Sequence, residues 1–222
     1  MYGASQPMRN TEQGRGYCEV MIKRMSLLHR RPDLSKEAFS AYWAGHHAAI
    51  ARDYPGLAKY TQNHVFRRLD AAERDVFETD GMAELWFPSE TEVAAAMKSS
   101  VAPALVADEP NFLAGVTGML LTGVSVDDGT GGAKVIVLAR RKTREGIPEG
   151  SAAGLLHASV STVSSVFKRD ALAALTTPPD TILTARFIDA NAAMTAVVTG
   201  SWPTTDNLQI WHAYQVTEFR IV

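Results

Sequence analysis

The sequence predicts an α+β protein made of two tandem ferredoxin-like β-α-β-β-α-β units. Three observations carry that expectation. The chain has 222 residues, more than one such unit needs and about right for two. Hydrophobic periodicity in the first half runs strand, helix, strand, strand, helix, strand. Residues 85–89 and the helix after them also match 185–189 and theirs. In both, a strand carries a Phe near its end, and a capping Ser89 or Asp189 leads into an Ala-rich helix. One irregular α+β domain is the alternative.

Residues 1–16 lack periodicity and read as a flexible tail. A first strand over 19–28 is apolar or long-stemmed throughout, as in a strand packed on both sides. Pro32-Asp33 ends it, and Ser35 opens a helix over 35–54. Phe39, Trp43, Ile50 and Tyr54 form one stripe on that helix. Pro55-Gly56 stops it. A strand over 57–66 places Tyr60, Gln62 and His64 on one face. After a charged loop comes a strand over 82–87, with Leu85 and Phe87 on one face and Glu84 and Trp86 on the other. Ser89 caps a helix over 90–101, and a Pro-containing loop leads to a strand over 115–126. The Asp/Gly-rich run around 127–132 is a linker. Beyond it follow a strand (134–139), an ambiguous helix-then-strand stretch (151–165), a strand (181–188), a helix (190–199) and a closing strand (208–222). The domain limits are therefore 17–127 and 134–222, joined by 128–133.

Composition excludes several functions. The chain carries 22 Lys+Arg against 24 Asp+Glu, with no charge block suited to nucleic acid or a membrane surface. The single cysteine, Cys18, rules out an internal disulfide or a Cys-rich metal site and reads as a packing residue. No apolar run approaches the roughly 20 residues of a membrane helix, and the N-terminus lacks a secretory apolar segment. A cytoplasmic protein is expected. Phosphate-loop, dinucleotide, zinc-protease and serine-hydrolase motifs are all missing from the sequence.

Two constellations could carry chemistry. The first is Tyr42-Trp43-Ala44-Gly45-His46-His47 on the first helix. Relative to Phe39, α-helical spacing puts His46 near roughly −20° and His47 near roughly 80°. They flank the apolar stripe, and geometry alone does not choose between them. Adjacent helical positions diverge by about 100° and cannot close on one metal ion, so no metal site is expected. The second is the pair of polar-aromatic strand faces, Tyr60/Gln62/His64 and Glu84/Trp86. Leu85 and Phe87 are the natural side to meet the helices, so both faces are expected on the opposite side, exposed or lining a pocket.

The residues 34–39 (Leu-Ser-Lys-Glu-Ala-Phe), Tyr42-Trp43 and His47, with 56–65 and 80–87, resemble the EthD family of dimeric α+β barrel proteins. The likeness covers about 18–126. It implies that the two units close an intrachain α+β barrel whose lumen holds the ligand. It selects His47 over His46, and it draws both polar strand faces toward the lumen. The wider superfamily includes lactone isomerases, polyketide cyclases and monooxygenases, aldoxime dehydratases and haem enzymes, many of them cofactor-free. The second half departs from the pattern, with Thr184 and Arg186 where the first has Glu84 and Trp86. Arg186 is a candidate anion anchor there, and His212 and Tyr214 share one face of the last strand.

The expected function is cofactor-independent proton transfer (isomerisation, elimination or dehydration) on a small aromatic, lactone or polyketide-like molecule. His47 or His64 would be the acid/base, since imidazole titrates near neutrality. Tyr60, Gln62 and Asn63 would hydrogen-bond a developing oxyanion. Trp43 and Trp86 would form the walls, with Glu84 nearby. The rivals are a haem protein with an axial histidine, a cofactor-free oxygenase, and a non-catalytic binder of a hydrophobic metabolite. The partner is a small molecule, and the chain acts as a monomeric pseudo-dimer or a homodimer.

Overall fold

The computed structural model describes residues 21–70, 78–123, 129–143, 151–203 and 206–222. The tail, Cys18 and residues 127–128 of the linker lie outside them. The first half runs β1 (Ile22–Arg30), α1 (Lys36–Tyr42), a π-helical turn (Trp43–His47), α2 (Ala48–Ala51), β2 (Lys59–Arg68), β3 (Gly81–Phe87), α3 (Glu90–Lys98), α4 (Val101–Asp108) and β4 (Leu113–Thr122). The second runs β5 (Ala133–Arg141), β6 (Leu155–Phe167), β7 (Thr181–Phe187), α5 (Ala190–Val198) and β8 (Leu208–Arg220).

All eight strands join one closed barrel in the order β1-β3-β2-β8-β5-β7-β6-β4. Each half supplies four neighbouring strands in the same relative order, β4-β1-β3-β2 and β8-β5-β7-β6. Antiparallel pairs β2–β8 and β4–β6 close the seams. Closure pairs the edge strands that either sheet alone would leave open. The internal repeat is also visible at the caps. Ser89 Oγ accepts from Glu92 N–H at 3.2 Å, and Asp189 Oδ1 from Ala192 N–H at 2.8 Å.

Two sequence expectations change. Residues 101–108 were expected in a loop because of Pro103. They form α4, since Pro103 stands in the first turn, where its missing N–H has no helical partner to lose. Residues 151–165 contain no helix: β6 begins at Leu155, and its Val, Ser and Thr residues suit a pleated strand. The described residues between β5 and β6 therefore hold no counterpart of α1.

Three apolar clusters result. One lies between the first-half sheet and its helices, around Phe39, Trp43, Leu85, Phe87 and Phe112. A second packs α5 on the other half. The third fills the barrel itself, with Met25, Met82, Met119, Ile136, Ile182 and Tyr214. Further along the interior, Lys23 and Lys134 bind the Glu84 carboxylate at 2.5 and 2.9 Å, and Arg186 binds Glu218 at 2.7 Å. The expected ligand lumen is thus occupied, among the described residues, by side chains and ion pairs.

The first helix is held down by Trp43, which is fully buried. Its ring lies on Gly81 so closely that an added Cβ there would stand 2.5 Å from the indole. Gly81→Ala is therefore expected to lower stability by about 1–3 kcal/mol through overpacking. Urea unfolding should show the loss, together with a changed tryptophan emission in the folded protein.

Candidate functional site

A cavity lies between the helices and the outer face of the first-half sheet. Its floor is Arg24, Ser26 and Leu28 of β1, Ala83 and Leu85 of β3, and Tyr60 of β2. Trp43, His47, Ala51 and Tyr54 roof it, and Glu109 and Arg169 stand at its side. The cavity is partly open and its volume is about 40 Å³, room for one or two waters.

His47 reaches this cavity because of the π turn. Ala48 N–H bonds to Trp43 O, five residues back, so the turn holds about one more residue than an α turn. Each residue then advances by less than 100°, which carries His47 back toward the apolar stripe. Its partner His46 is exposed, with 63% of its side-chain surface open, against 12% for His47.

The His47 ring packs on Phe112 at 4.8 Å. Its Nδ1–H donates to Asp108 Oδ2 at 2.9 Å. Tyr42 Oη–H and Asn111 Nδ2–H donate to Asp108 Oδ1 at 2.6 and 3.1 Å. Burial would raise the Asp108 pKa, but these three bonds outweigh it and hold it below the ordinary value. An ionised Asp108 only accepts, so it fixes the proton of neutral His47 on Nδ1 and leaves Nε2 with its lone pair. Burial lowers the His47 pKa, opposed in part by Asp108. Neutral imidazole is therefore the resting form at pH 7.

Tyr60 faces His47's helix from β2. Gln62 Nε2–H donates to Tyr60 Oη at 2.8 Å and to Trp43 O at 2.9 Å. With its oxygen accepting, the Tyr60 hydroxyl retains its own proton for an acceptor in the cavity. Burial pushes its pKa up to about 12, so it stays a donor.

His64 is engaged elsewhere. Its Nε2–H donates to Gln62 Oε1 at 3.0 Å, because the Gln62 amide nitrogen is already a donor to two oxygens. Its Nδ1 then accepts from Ser40 Oγ–H at 2.6 Å. The ring stacks on Trp43 at 4.4 Å and does not line the cavity.

The two polar strand faces do not coincide. In the β2–β3 register Tyr60 pairs with Leu85, Gln62 with Ala83 and His64 with Gly81. Tyr60, Gln62 and His64 therefore face the helices. Asn63, Glu84 and Trp86 face the barrel interior, where Asn63 Nδ2–H donates to Glu84 Oε2 at 3.0 Å and Lys23 lies over the Trp86 ring at 4.6 Å. Burial would raise the Glu84 pKa, but Lys134 and Lys23 hold it far below the ordinary value. Arg186 is also interior, on Glu218. Tyr214 packs inside the barrel, where burial raises its pKa to about 12. His212 Nδ1 lies 3.1 Å from Arg68 and 3.3 Å from Asp70. The sheet separates all six from the cavity.

Sequence reading missed Asp108, Arg24, Tyr54, Glu109 and Arg169. Arg24 had a signal: Lys23 and Arg24 are adjacent in a strand buried on both faces, so one charge must enter each side. Asp108 lay in the stretch expected to be a Pro-containing loop, so no helical spacing tied it to His47.

A closed α+β barrel of two ferredoxin-like halves, with a helix-roofed cavity on one of them, defines the class of protein. Residues 31–115 match the family model of the EthD domain. An EthD family protein from Bacillus halodurans C-125 is 22% identical, with a TM-score of 0.36, over 45% of this chain and 95% of its own. An anthrone oxidase-like protein superposes over 91% of this chain and 94% of its own, with a TM-score of 0.51 at 10% identity. A candidate monooxygenase from Fusobacterium nucleatum does so over 90% and 92%, with a TM-score of 0.51 at 10% identity. The superpositions on the anthrone oxidase-like protein and the candidate monooxygenase establish the fold. No curated protein matches the chain. Among the described residues no three His, Cys, Asp or Glu side chains converge as metal ligands, and no helix is long and apolar enough to cross a membrane.

The locked His64 makes stability pH-dependent. Burial lowers its pKa from 6.5 to about 4, so it stabilises fully above about pH 6.5 and that contribution is lost as pH falls toward 4. Urea midpoints should drop across this window, and the drop should be smaller in His64→Gln.

Proposed function

We propose that the protein is a cofactor-independent enzyme that moves a proton on a small aromatic, lactone or polyketide-like molecule held between helix and sheet. One observation carries the reading: His47, backed by the buried Asp108, lines the same cavity as a protonated Tyr60. His47 Nε2 takes a proton from a carbon beside a carbonyl, and the electron pair moves onto the carbonyl oxygen. Tyr60 Oη–H hydrogen-bonds the enolate that forms. His47 then returns the proton to another carbon, or to a leaving oxygen, which gives isomerisation or elimination respectively. Asp108 stabilises the transient imidazolium without being protonated. Gln62 aims Tyr60, and His64 positions Gln62.

A ligand of this class needs more than 40 Å³, since drug-sized ligands occupy roughly 300–1,000 Å³. The roof must therefore move outward on binding. A haem beside His47 would demand a far larger movement of the same roof, and no step runs through one. Cofactor-free oxygenation is the second reading, favoured by the oxidase-like and monooxygenase-type neighbours on this fold. It shares the first deprotonation and differs in consuming O₂.

The test is solvent-deuterium exchange into enolisable lactones and aromatic ketones, followed by NMR alongside an oxygen electrode. His47→Gln should lower exchange by about 10²–10⁴-fold. Equal exchange by the variant and the parent protein contradicts the reading, and binding without exchange identifies a non-catalytic binder. Because the base form of His47 is needed and its pKa is lowered, the acid limb of the activity should have its midpoint below pH 6.5.

A further inference from the structure

Arg24 is the unexplained group in the cavity. It lies on the floor with only 6% of its surface exposed. Its guanidinium stacks on the Phe167 ring at 4.4 Å. One terminal nitrogen, Nη1, contacts Met97 Sδ at 3.3 Å, a weak acceptor. Its Nε–H is buried with no hydrogen-bond partner, and among the described residues no carboxylate forms an ion pair with it. A buried guanidinium without an anion is costly, and its pKa is lowered by that burial. Tyr54 lies beside it, and its hydroxyl is a neutral partner.

The surroundings narrow the missing partner. Arg169 is the other cation on the cavity, but it is committed to Glu109 by bonds of 2.8 and 3.3 Å. Among the residues that line the cavity, two guanidinium groups and one carboxylate leave one net positive charge, which matches a monoanion and not a doubly charged phosphate. The unpartnered N–H lies in the plane of the guanidinium fork, whose geometry matches a carboxylate. Leu28, Leu85, Leu105 and Val116 then offer the rest of the ligand an apolar bed.

The helix crosses the sheet from Trp43, over Gly81 and hence beside Leu28, to Tyr54, which meets Arg24 and Phe87. His47 lies between these ends. Arg24 and His47 therefore line the same helix-covered cavity, with Arg24 toward the Tyr54 end. Phe167 belongs to the second half. Its ring is accommodated by Gly118, where an added Cβ would meet it at 1.8 Å. The second half thus reaches this side of the first half, with Phe167 behind Arg24 and Arg169 in the cavity lining.

We infer that Arg24, backed by Phe167, is the recognition site for a carboxylate, and that the ligand is a monocarboxylate with an apolar body. This rests on the proposed use of the same cavity by His47, and it names the substrate class. Arg24 binds and orients the ligand and takes no proton.

The test uses the full chain with four probes: acetate and benzoate, and their neutral counterparts acetamide and benzamide. The Arg24 Nε–H resonance is followed in ¹H–¹⁵N spectra, assigned by its loss in Arg24→Lys. Carboxylates should shift that resonance and bind about 10- to 100-fold more tightly than the matching amides. Arg24→Gln should erase the preference, Arg24→Lys should keep part of it, and His47→Gln should keep all of it. Equal affinity for acid and amide, a preference that survives in Arg24→Gln, or no carboxylate binding at all overturns the inference. The parent-protein comparison decides the matter if Arg24→Gln does not fold. His47-dependent exchange on neutral ketones without any carboxylate preference would sink this inference and leave the proposed function standing. Carboxylate preference without exchange on any substrate would do the reverse.

Discussion

The candidate site depends on one buried carboxylate, Asp108. It closes α4 and draws donors from three places: Tyr42 at the end of α1, His47 in the π turn, and Asn111 before β4. A carboxylate with 5% of its surface exposed is tolerable only when its oxygens are satisfied. The same three bonds therefore hold the helical roof together and set the tautomer of His47. Structural need and chemical role are served by one group. The π turn belongs to the same arrangement, because without its extra residue the His47 ring would rotate off the stripe and away from Asp108.

The two faces of the first-half sheet have been put to different uses. Inside the barrel, Glu84 is neutralised by Lys23 and Lys134, and methionines and isoleucines fill the space beyond them. Such a filled interior fixes the register of the two halves but leaves little room for a ligand. On the outer face, Gly81 admits Trp43 at close range, and the helix it anchors leaves a small gap above β1 and β3. The second half contributes by closing the seams and by reaching over with Phe167 and Arg169. Its own outer face has α5 but, among the described residues, no helix equivalent to α1, so the two halves differ in what they can build.

Much of this was legible in the sequence. The Phe39-Trp43 stripe gave the first helix, Ser89 and Asp189 gave two N-caps that recur in equivalent places, and the succession of strands and helices in the first half followed from the periodicity. The assignment of Glu84 and Trp86 away from the helices also followed from Leu85 and Phe87. The facing of Tyr60, Gln62 and His64 did not, because alternation within a strand says which residues share a face but not which face. That depends on the β2–β3 register, which aligns Tyr60 with Leu85. The π turn was hidden as well, since Gly45-His46-His47 has no apolar spacing to reveal an extra residue. Arg24 went unremarked because a long side chain in a buried strand reads equally well as a snorkelling residue at an edge.

The central claim is that burial keeps His47 neutral and Asp108 holds its proton on Nδ1, leaving Nε2 as the base. Long-range ¹H–¹⁵N correlation of the histidine side chains at pH 7 tests it directly. The account predicts a protonated, pyrrole-type Nδ1 and a pyridine-type Nε2 for His47. A proton on Nε2, or an imidazolium at that pH, would contradict it.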